Sequence, residues 1–281
     1  MPIPPDQPLQ RRLHTVALEA VRAAGREQMK FYGRRQEVDL ELTHDLKLAI
    51  DRRCEKVAVQ ILREAFPDHG IISEENTAVN PQSPYRWYLD PLDGSVNYFL
   101  GQPYFCICLA CYYRPPTEPP ESPDPLGKPL LGIVYAPALG QTFEAMSDGP
   151  AFCNGDPVRP GRESRLNQAV IGLSFGSEPA TMQRMSAIGG KLARRSRKIR
   201  VFGATGLDLA NVACGRLSGL VQGRVRVWDF AAARVILDAA GGYFRADKNG
   251  EDYWQIVGAA PGIADALQDL MDAHPAVVRR S

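Results

Sequence analysis

Apolar side chains recur at helical spacing in two stretches of the first third of the chain. They return every three or four positions over residues 9–31, and again over residues 45–66, where Pro67 ends the pattern. Shorter apolar runs separated by turn-forming residues then follow at 86–89, 104–113, 130–136 and 141–146. The pattern predicts two helices followed by an antiparallel sheet, which is an α+β arrangement of residues 1–160.

Residues 161–281 show a different pattern, in which short apolar runs alternate with helical periodicity. The predicted strands cover 169–174, 198–202, 218–222 and 254–258, and the predicted helices cover 179–194, 205–214, 229–240 and 262–273. This alternation is typical of an α/β unit. The chain is therefore predicted to have two halves with no internal repeat.

Composition narrows the class of protein. The 281 residues carry a net charge of +1, which gives no general attraction to nucleic acid or to acidic membranes. No apolar run has membrane-spanning length, and the N-terminal residues lack a signal core. A cytoplasmic protein without nucleic-acid or membrane partners is expected. The proline-rich segment 115–125 is predicted to be an exposed hairpin loop, since so many prolines exclude a helix or a central strand.

The cysteines raise the question of a soft-metal site. Cys106 and Cys108 fall on one face of a predicted strand, and Cys111 falls on the other. A Cys-x-Cys-x-x-Cys run lacks the paired spacing of zinc sites, so buried reduced thiols are predicted.

The densest candidate chemistry lies between residues 90 and 97. Asp90 and Asp93 stand three residues apart, and Gly94 and Ser95 follow at once after an apolar strand. Carboxylate oxygens are ligands that suit Mg²⁺, and backbone N–H groups at a turn or helix start suit phosphate. Alone, the segment could equally be a tight turn with Asx hydrogen bonds.

Two further stretches make the interpretation specific. Ser73-Glu74-Glu75-Asn76 lies upstream of this loop, and Trp228-Asp229-Phe230-Ala231-Ala232-Ala233 opens an apolar helix far downstream. In this order and spacing, from about Leu13 to about Leu270, the chain resembles the inositol monophosphatase family. The resemblance implies a layered α-β-α-β-α sandwich with the site between the halves. It also implies Mg²⁺-dependent, lithium-sensitive phosphatase activity and a homodimer.

The resemblance implies roles for individual positions. The ligands of two to three Mg²⁺ ions would be Glu74, Asp90, the carbonyl of Leu92, Asp93 and Asp229. Glu74, Ser95 and Asp93 would form the catalytic set, in which the Ser95 hydroxyl orients a water activated by metal. Substrate would contact Gly94, Ser95, Thr205, Gln222 and Asp229. For Thr205 and Asp229 a simpler role stays open, because each residue could be a helix cap and nothing more.

Three positions depart from the family pattern. Leu48 and Leu40 stand where the family has a threonine and a lysine, so a hydroxyl and a cation are missing near Asp51. This loss is expected to alter binding of a third metal ion and the response to lithium. Lys47 could compensate for the lost cation. Gln222 stands where inositol-directed members place a glutamate, and a neutral amide both donates and accepts hydrogen bonds.

The resulting expectation is hydrolysis of inositol monophosphate or a similar small phosphorylated metabolite. Alternative substrates within the same fold are 3'-phosphoadenosine 5'-phosphate, histidinol phosphate and fructose 1,6-bisphosphate. A haloacid dehalogenase mechanism is disfavoured because it needs Asp-x-Asp, whereas Asp90 and Asp93 are three apart. The non-enzyme alternative is a phosphate-binding regulatory protein that has kept the fold.

Overall fold

A computed structural model describes residues 7–35, 38–42, 45–75, 78–115 and 126–275. The proline-rich loop therefore lies outside the described residues beyond Pro115. The helices are α1 (Gln7–Phe31), α2 (Ala49–Ala65), α3 (Ser95–Phe99), α4 (Pro179–Arg195), α5 (Thr205–Ala213), α6 (Val227–Ala239) and α7 (Ala264–Asp272). The strands of the first half are β1 (Val38–Leu42), β2 (Asp45–Leu48), β3 (Gly70–Ser73), β4 (Ala78–Val79), β5 (Tyr85–Asp93), β6 (Cys106–Tyr113), β7 (Lys128–Ala136), β8 (Gln141–Met146), β9 (Ala151–Cys153) and β10 (Asp156–Pro157). The strands of the second half are β11 (Val170–Ser174), β12 (Lys198–Arg200), β13 (Gly219–Val225), β14 (Tyr243–Lys248) and β15 (Trp254–Ala259).

The described elements form five layers around two large sheets. The first sheet has the strand order β10-β9-β8-β7-β6-β5-β3-β4, and the second has the order β12-β11-β13-β15-β14. Helices α1 and α2 cover the outer face of the first sheet, and α4 and α7 cover the outer face of the second. Helices α5 and α6 are buried between the sheets. This is the predicted α-β-α-β-α sandwich.

The sheets are buried on both faces, which explains why their strands lack a clear alternation of apolar and polar residues. In β6, Cys108 faces the α5/α6 layer, whereas Leu109 faces α1 and α2. All the cysteines are free thiols, and Cys111 lies on the opposite face from Cys106 and Cys108, as predicted.

The structure corrects several element predictions. Helix α2 begins at Ala49, not at residue 45, because residues 45–48 pair with β1 as a hairpin. The helix start is fixed by Asp51, whose carboxylate accepts a 2.8 Å hydrogen bond from the Leu48 N–H. The first sheet is not wholly antiparallel, because β3 runs parallel to β5. Strand β14 was missed.

The central layer packs the second half of the chain against the first across the predicted division at residue 160. Helices α5 and α6 come from the second half in sequence, yet α6 packs on β6 and β7 of the first sheet. Of the helices that the structure describes, none has the length and hydrophobicity to cross a bilayer.

We expect Gly132→Ala to destabilise the protein by roughly 1–3 kcal/mol, the usual cost of overpacking a core. A β-carbon at Gly132 would lie 2.3 Å from the carbonyl oxygen of Ala232, so sheet and helix would have to separate. Urea denaturation would measure the loss. Gly149→Ala is the matched control, because its nearest neighbour would be the Met146 carbonyl oxygen at 3.9 Å. Equal stability of both variants would contradict this view of the central layer.

Candidate functional site

Four acidic side chains approach each other where the first sheet meets the central layer. Glu74 directly follows β3, Asp90 and Asp93 lie at the end of β5, and Asp229 lies in the first turn of α6. Because β3 and β5 are parallel, their carboxyl ends reach the same edge of the sheet. The Glu74 N–H donates a 3.2 Å hydrogen bond to the Leu89 carbonyl, which holds the two strand ends together.

The loop from Asp90 to Ser95 is a tight turn stabilised from within. The Leu92 N–H donates to Asp90 Oδ1 at 2.9 Å, and the Ser95 hydroxyl donates to the Leu92 carbonyl at 3.1 Å. Gly94 has φ +90°, and a β-carbon there would lie 3.0 Å from the Tyr104 carbonyl oxygen. The Asx-turn interpretation is therefore correct, and it positions the two carboxylates.

A buried glutamine on α1 supports this loop and was missed from the sequence. Gln28 Nε2 donates to the Pro91 carbonyl at 2.8 Å, and the Tyr98 hydroxyl donates to the Gln28 carbonyl at 2.7 Å. Gln28 is fully buried, four positions after Ala24 on the apolar face of the helix. A polar residue in an apolar stripe is the signal that could have identified it.

Asp93 attaches the first sheet to the start of α5. Its carboxylate accepts hydrogen bonds from the N–H groups of Thr205 at 3.0 Å and Gly206 at 2.7 Å. A β-carbon at Gly206 would lie 2.2 Å from Cys108 Sγ, so only glycine allows this approach.

Thr205 and Gln222 contact each other beside this junction. The Thr205 hydroxyl donates to Gln222 Oε1 at 3.0 Å, and both side chains are buried. Thr205 is the first residue of α5 rather than its N-cap, which is Ala204, so the simple capping alternative is wrong for Thr205. For Asp229 that alternative describes a real contact, because Asp229 Oδ2 accepts a 2.8 Å hydrogen bond from the Arg226 N–H.

The carboxylates raise each other's pKa. Burial, followed by the charge of Asp229, raises the pKa of Glu74 to about 8. Burial raises the pKa of Asp93 to about 6, although the Gly206 N–H opposes the shift. Burial and the neighbouring Glu74 raise the pKa of Asp90 well above its ordinary value. Like charges in a poorly hydrated site favour protonation or a bound cation.

An outer group of charges lies on the α2 side of the site. Lys47 Nζ donates to Glu75 Oε1 at 2.7 Å, and Glu74, Glu75 and Lys47 all act electrostatically on Asp51. Asp51 is buried, and its Oδ1 has no hydrogen-bond partner among the described residues. Leu48 is also buried and contributes only its backbone N–H to Asp51. Lys47 thus brings a cation to the outer group, while the side chain of Leu40 lies outside the described residues.

The set of donors is chemically suited to a hard cation. Four carboxylates and the Leu92 carbonyl offer oxygen atoms only, which are the ligands of Mg²⁺. The structure thus brings together the predicted residues Glu74, Asp90, Leu92, Asp93 and Asp229. Gly94 and Ser95 border them at the start of α3. Thr205 borders them at the start of α5 and contacts Gln222 of β13.

Proteins of known sequence resemble this chain over nearly its whole length. The model of the inositol monophosphatase family matches residues 9–276. The Nus factor SuhB of Pasteurella multocida is 31% identical, with 90% of this chain and 92% of that protein covered. The fructose-1,6-bisphosphatase/inositol-1-monophosphatase of Thermotoga maritima is 30% identical, with 80% and 81% covered.

Solved structures agree with the described layers. The extragenic suppressor protein suhB of Bartonella henselae superimposes with a TM-score of 0.81 at 27% identity, covering 92% of this chain and 97% of that one. An IMPase of Thermotoga maritima gives a TM-score of 0.78 at 27% identity, covering 94% and 97%. With its sequence match, its layered fold and its carboxylate loop, the chain belongs to the inositol monophosphatase family.

Proposed function

We propose that this protein is a Mg²⁺-dependent phosphomonoesterase that acts on a small phosphorylated metabolite. The observation that carries the proposal is the convergence of Glu74, Asp90, Asp93 and Asp229, whose carboxylates repel one another in a buried site. Such a cluster is stabilised by divalent cations, and phosphate-ester hydrolysis needs cations because its uncatalysed barrier is very high.

The proposed roles follow from the positions of the side chains. Glu74, Asp90 and the Leu92 carbonyl would hold one Mg²⁺, and Asp90, Asp93 and Asp229 would hold a second. When bound, Mg²⁺ would lower the pKa of the attacking water and neutralise charge on the phosphoryl oxygens. We propose that a third ion, if bound, lies towards Asp51, where Lys47 already supplies positive charge.

The chain's own groups would orient the reactants. Ser95, whose hydroxyl donates to the Leu92 carbonyl, would turn to accept a hydrogen bond from the attacking water and so orient it, and Glu74 would be the base that takes the proton. The N–H groups of Gly94 and Ser95 at the start of α3 would donate to phosphate oxygens. We expect direct attack by water, because Cys106, the thiol that donates to Asp93, is fully buried and burial raises its pKa well above the ordinary value.

The leaving group would lie against Thr205 and Gln222. Asp229 would accept a hydroxyl of the substrate, and the neutral Gln222 would bind hydroxyls more weakly than a carboxylate does. Inositol monophosphates are our first candidate substrates, with fructose 1,6-bisphosphate, histidinol phosphate and 3'-phosphoadenosine 5'-phosphate as alternatives. The Thermotoga maritima relative is named a fructose-1,6-bisphosphatase/inositol-1-monophosphatase, which supports inositol monophosphates and fructose 1,6-bisphosphate.

A second candidate function comes from the names of other relatives. Several similar proteins are described as Nus factors, which favours a binding role in place of, or beside, catalysis. The retained carboxylates favour catalysis, since a binding role alone would not require them.

We also propose a cytoplasmic homodimer. The free thiols suit a reducing compartment. The exposed apolar side chains of Phe99, the last residue of α3, and of Leu100, which follows it, lie near exposed Val201 and Phe202, because Asn97 donates to the Phe202 carbonyl at 2.8 Å. This surface is a candidate for the contact between subunits.

Phosphate release from an aryl phosphate should stop when metal is chelated and return when Mg²⁺ is added. We expect Asp93→Asn to lower the rate by at least about 100-fold, the scale of losing a preorganised electrostatic partner. Asp156→Asn, at an exposed position of β10, is the matched control and should keep full activity. Metal-independent turnover, or an unchanged rate in Asp93→Asn, would contradict the proposal.

The metal-free protein should lose stability as the pH rises from about 5 to about 8. On folding, the pKa of Glu74 rises from 4.5 to about 8, and that of Asp51 rises from 3.8 to about 8. Between these values the folded state binds more protons than the unfolded state, so a rising pH favours unfolding. Urea denaturation in a chelator would show the decline, and Mg²⁺ at the upper pH should reverse most of it. A stability that is flat or increases over this range would contradict the charge assignment.

Gln222→Glu should raise kcat/KM on inositol 1-phosphate relative to an aryl phosphate. A hydrogen bond to a charged acceptor contributes roughly 1.5–3 kcal/mol, against about 1 kcal/mol for a neutral one, so a several-fold change in the ratio is expected. Thr205→Val should lower both activities by removing the hydroxyl that holds Gln222 in place. An unchanged ratio would remove Gln222 from the substrate site.

A further inference from the structure

Two thiols lie directly behind the carboxylates of the proposed hard-metal site. In the pairing of β5 with β6, Asp93 is opposite Cys106 and Asp90 is opposite Cys108. Cys106 Sγ lies 3.4 Å from Asp93 Oδ2 and 3.7 Å from Cys108 Sγ. The three donor atoms of Asp93, Cys106 and Cys108 all lie within 4.8 Å of one another.

These distances match a tetrahedral site for a thiophilic ion. With Zn–S near 2.3 Å and Zn–O near 2.0–2.2 Å, tetrahedral geometry places two sulfur ligands about 3.8 Å apart and a sulfur and an oxygen ligand about 3.5 Å apart. The observed separations are 3.7 Å and 3.4 Å. Two of the three ligand–ligand distances are therefore close to those of a tetrahedral zinc site, and the third is within 4.8 Å.

We propose that Asp93, Cys106 and Cys108 form a second metal site, which binds a thiophilic dication such as Zn²⁺ or Cd²⁺. The sequence argues against such a site, because the cysteine run lacks the paired spacing of zinc sites. The third ligand comes from the neighbouring strand, so only the register of β5 and β6 reveals it.

The ion would bind at the contact between Asp93 and Cys106. Asp93 Oδ2 accepts the Gly206 N–H, and the Cys106 thiol also donates to it. A bound dication would replace the thiol proton in that contact, and the protons of both thiols would pass to solvent. Cys106 and Cys108 are fully buried, whereas Asp93 is 8% exposed, so the ion would enter from the carboxylate side.

Sharing Asp93 would make the two sites competitive. An ion held by Cys106 and Cys108 would take a ligand from the proposed Mg²⁺ site, and soft ions prefer thiolate whereas Mg²⁺ prefers oxygen. Inhibition of phosphatase activity by Zn²⁺ or Cd²⁺ would follow, and this consequence alone rests on the proposed function.

The site can be tested by its spectrum, independently of catalysis. Full-length, reduced, metal-free protein titrated with Cd²⁺ should develop a cadmium–thiolate charge-transfer band that saturates at one ion per chain. The double variant Cys106→Ala/Cys108→Ala should lose this band, and Asp93→Asn should weaken binding. A matched double variant, Cys153→Ala/Cys214→Ala, removes another pair of neighbouring thiols and should keep the band.

A measurement on the unaltered chain guards against a variant that fails to fold. X-ray absorption of the Zn²⁺-loaded protein should show two sulfur ligands completed by oxygen. A shell of nitrogen and oxygen only, or a Cd²⁺ band that persists in Cys106→Ala/Cys108→Ala, would overturn the proposal. If the band appears while Mg²⁺-dependent activity is absent, the thiol site stands and the proposed phosphatase function fails.

Discussion

The mutual repulsion of buried carboxylates is the constraint on which the site depends. Asp90, Asp93 and Glu74 come from strand ends of one sheet, and Asp229 comes from a helix of the central layer. Burial raises the pKa values of Glu74, Asp90 and Asp93, and neighbouring carboxylates raise those of Glu74 and Asp90 further. Such a cluster costs folding free energy, because poorly hydrated like charges repel one another. Protonation or a bound cation relieves this cost, and the proposed function rests on the cation.

Asp93 links the carboxylate cluster to the packing of the first sheet against the central layer. Two N–H groups at the start of α5 donate to its carboxylate, and the thiols of β6 lie behind it. The helix start stabilises negative charge, so Asp93 has a less raised pKa than Glu74. The side chain thereby joins the first sheet, the central layer and both proposed metal sites. Its position also requires Gly206, because a larger residue would collide with Cys108.

Most of the fold could be predicted from the sequence because long elements repeat a strong period. The helices α1 and α4 lie within two residues of their expected bounds. Where the prediction was wrong, a tertiary contact overrode the local pattern. Residues 45–48 continue the apolar period of α2, yet they form strand β2 because they pair with β1 in a hairpin. Strand β14, Tyr243–Lys248, was missed because its mixed residues gain order only by pairing with β15.

The candidate site was predicted through its motifs, and what was missed depends on register and packing. Glu74, Asp90, Asp93 and Asp229 could be named from the sequence because their motifs occur in a diagnostic order. Gln28 could not, since its contact with the Pro91 carbonyl depends on how α1 packs under the loop. The third ligand beside Cys106 and Cys108 was likewise hidden, because strand pairing, not spacing along the chain, places Asp93 there.

Anomalous diffraction from crystals soaked in Mn²⁺, a substitute for Mg²⁺, would show whether the four carboxylates bind cations. We expect two peaks beside Glu74, Asp90, Asp93 and Asp229, roughly 4 Å apart as in two-metal sites. Absence of any peak beside Asp90, or a single ion bound away from these carboxylates, would contradict this expectation.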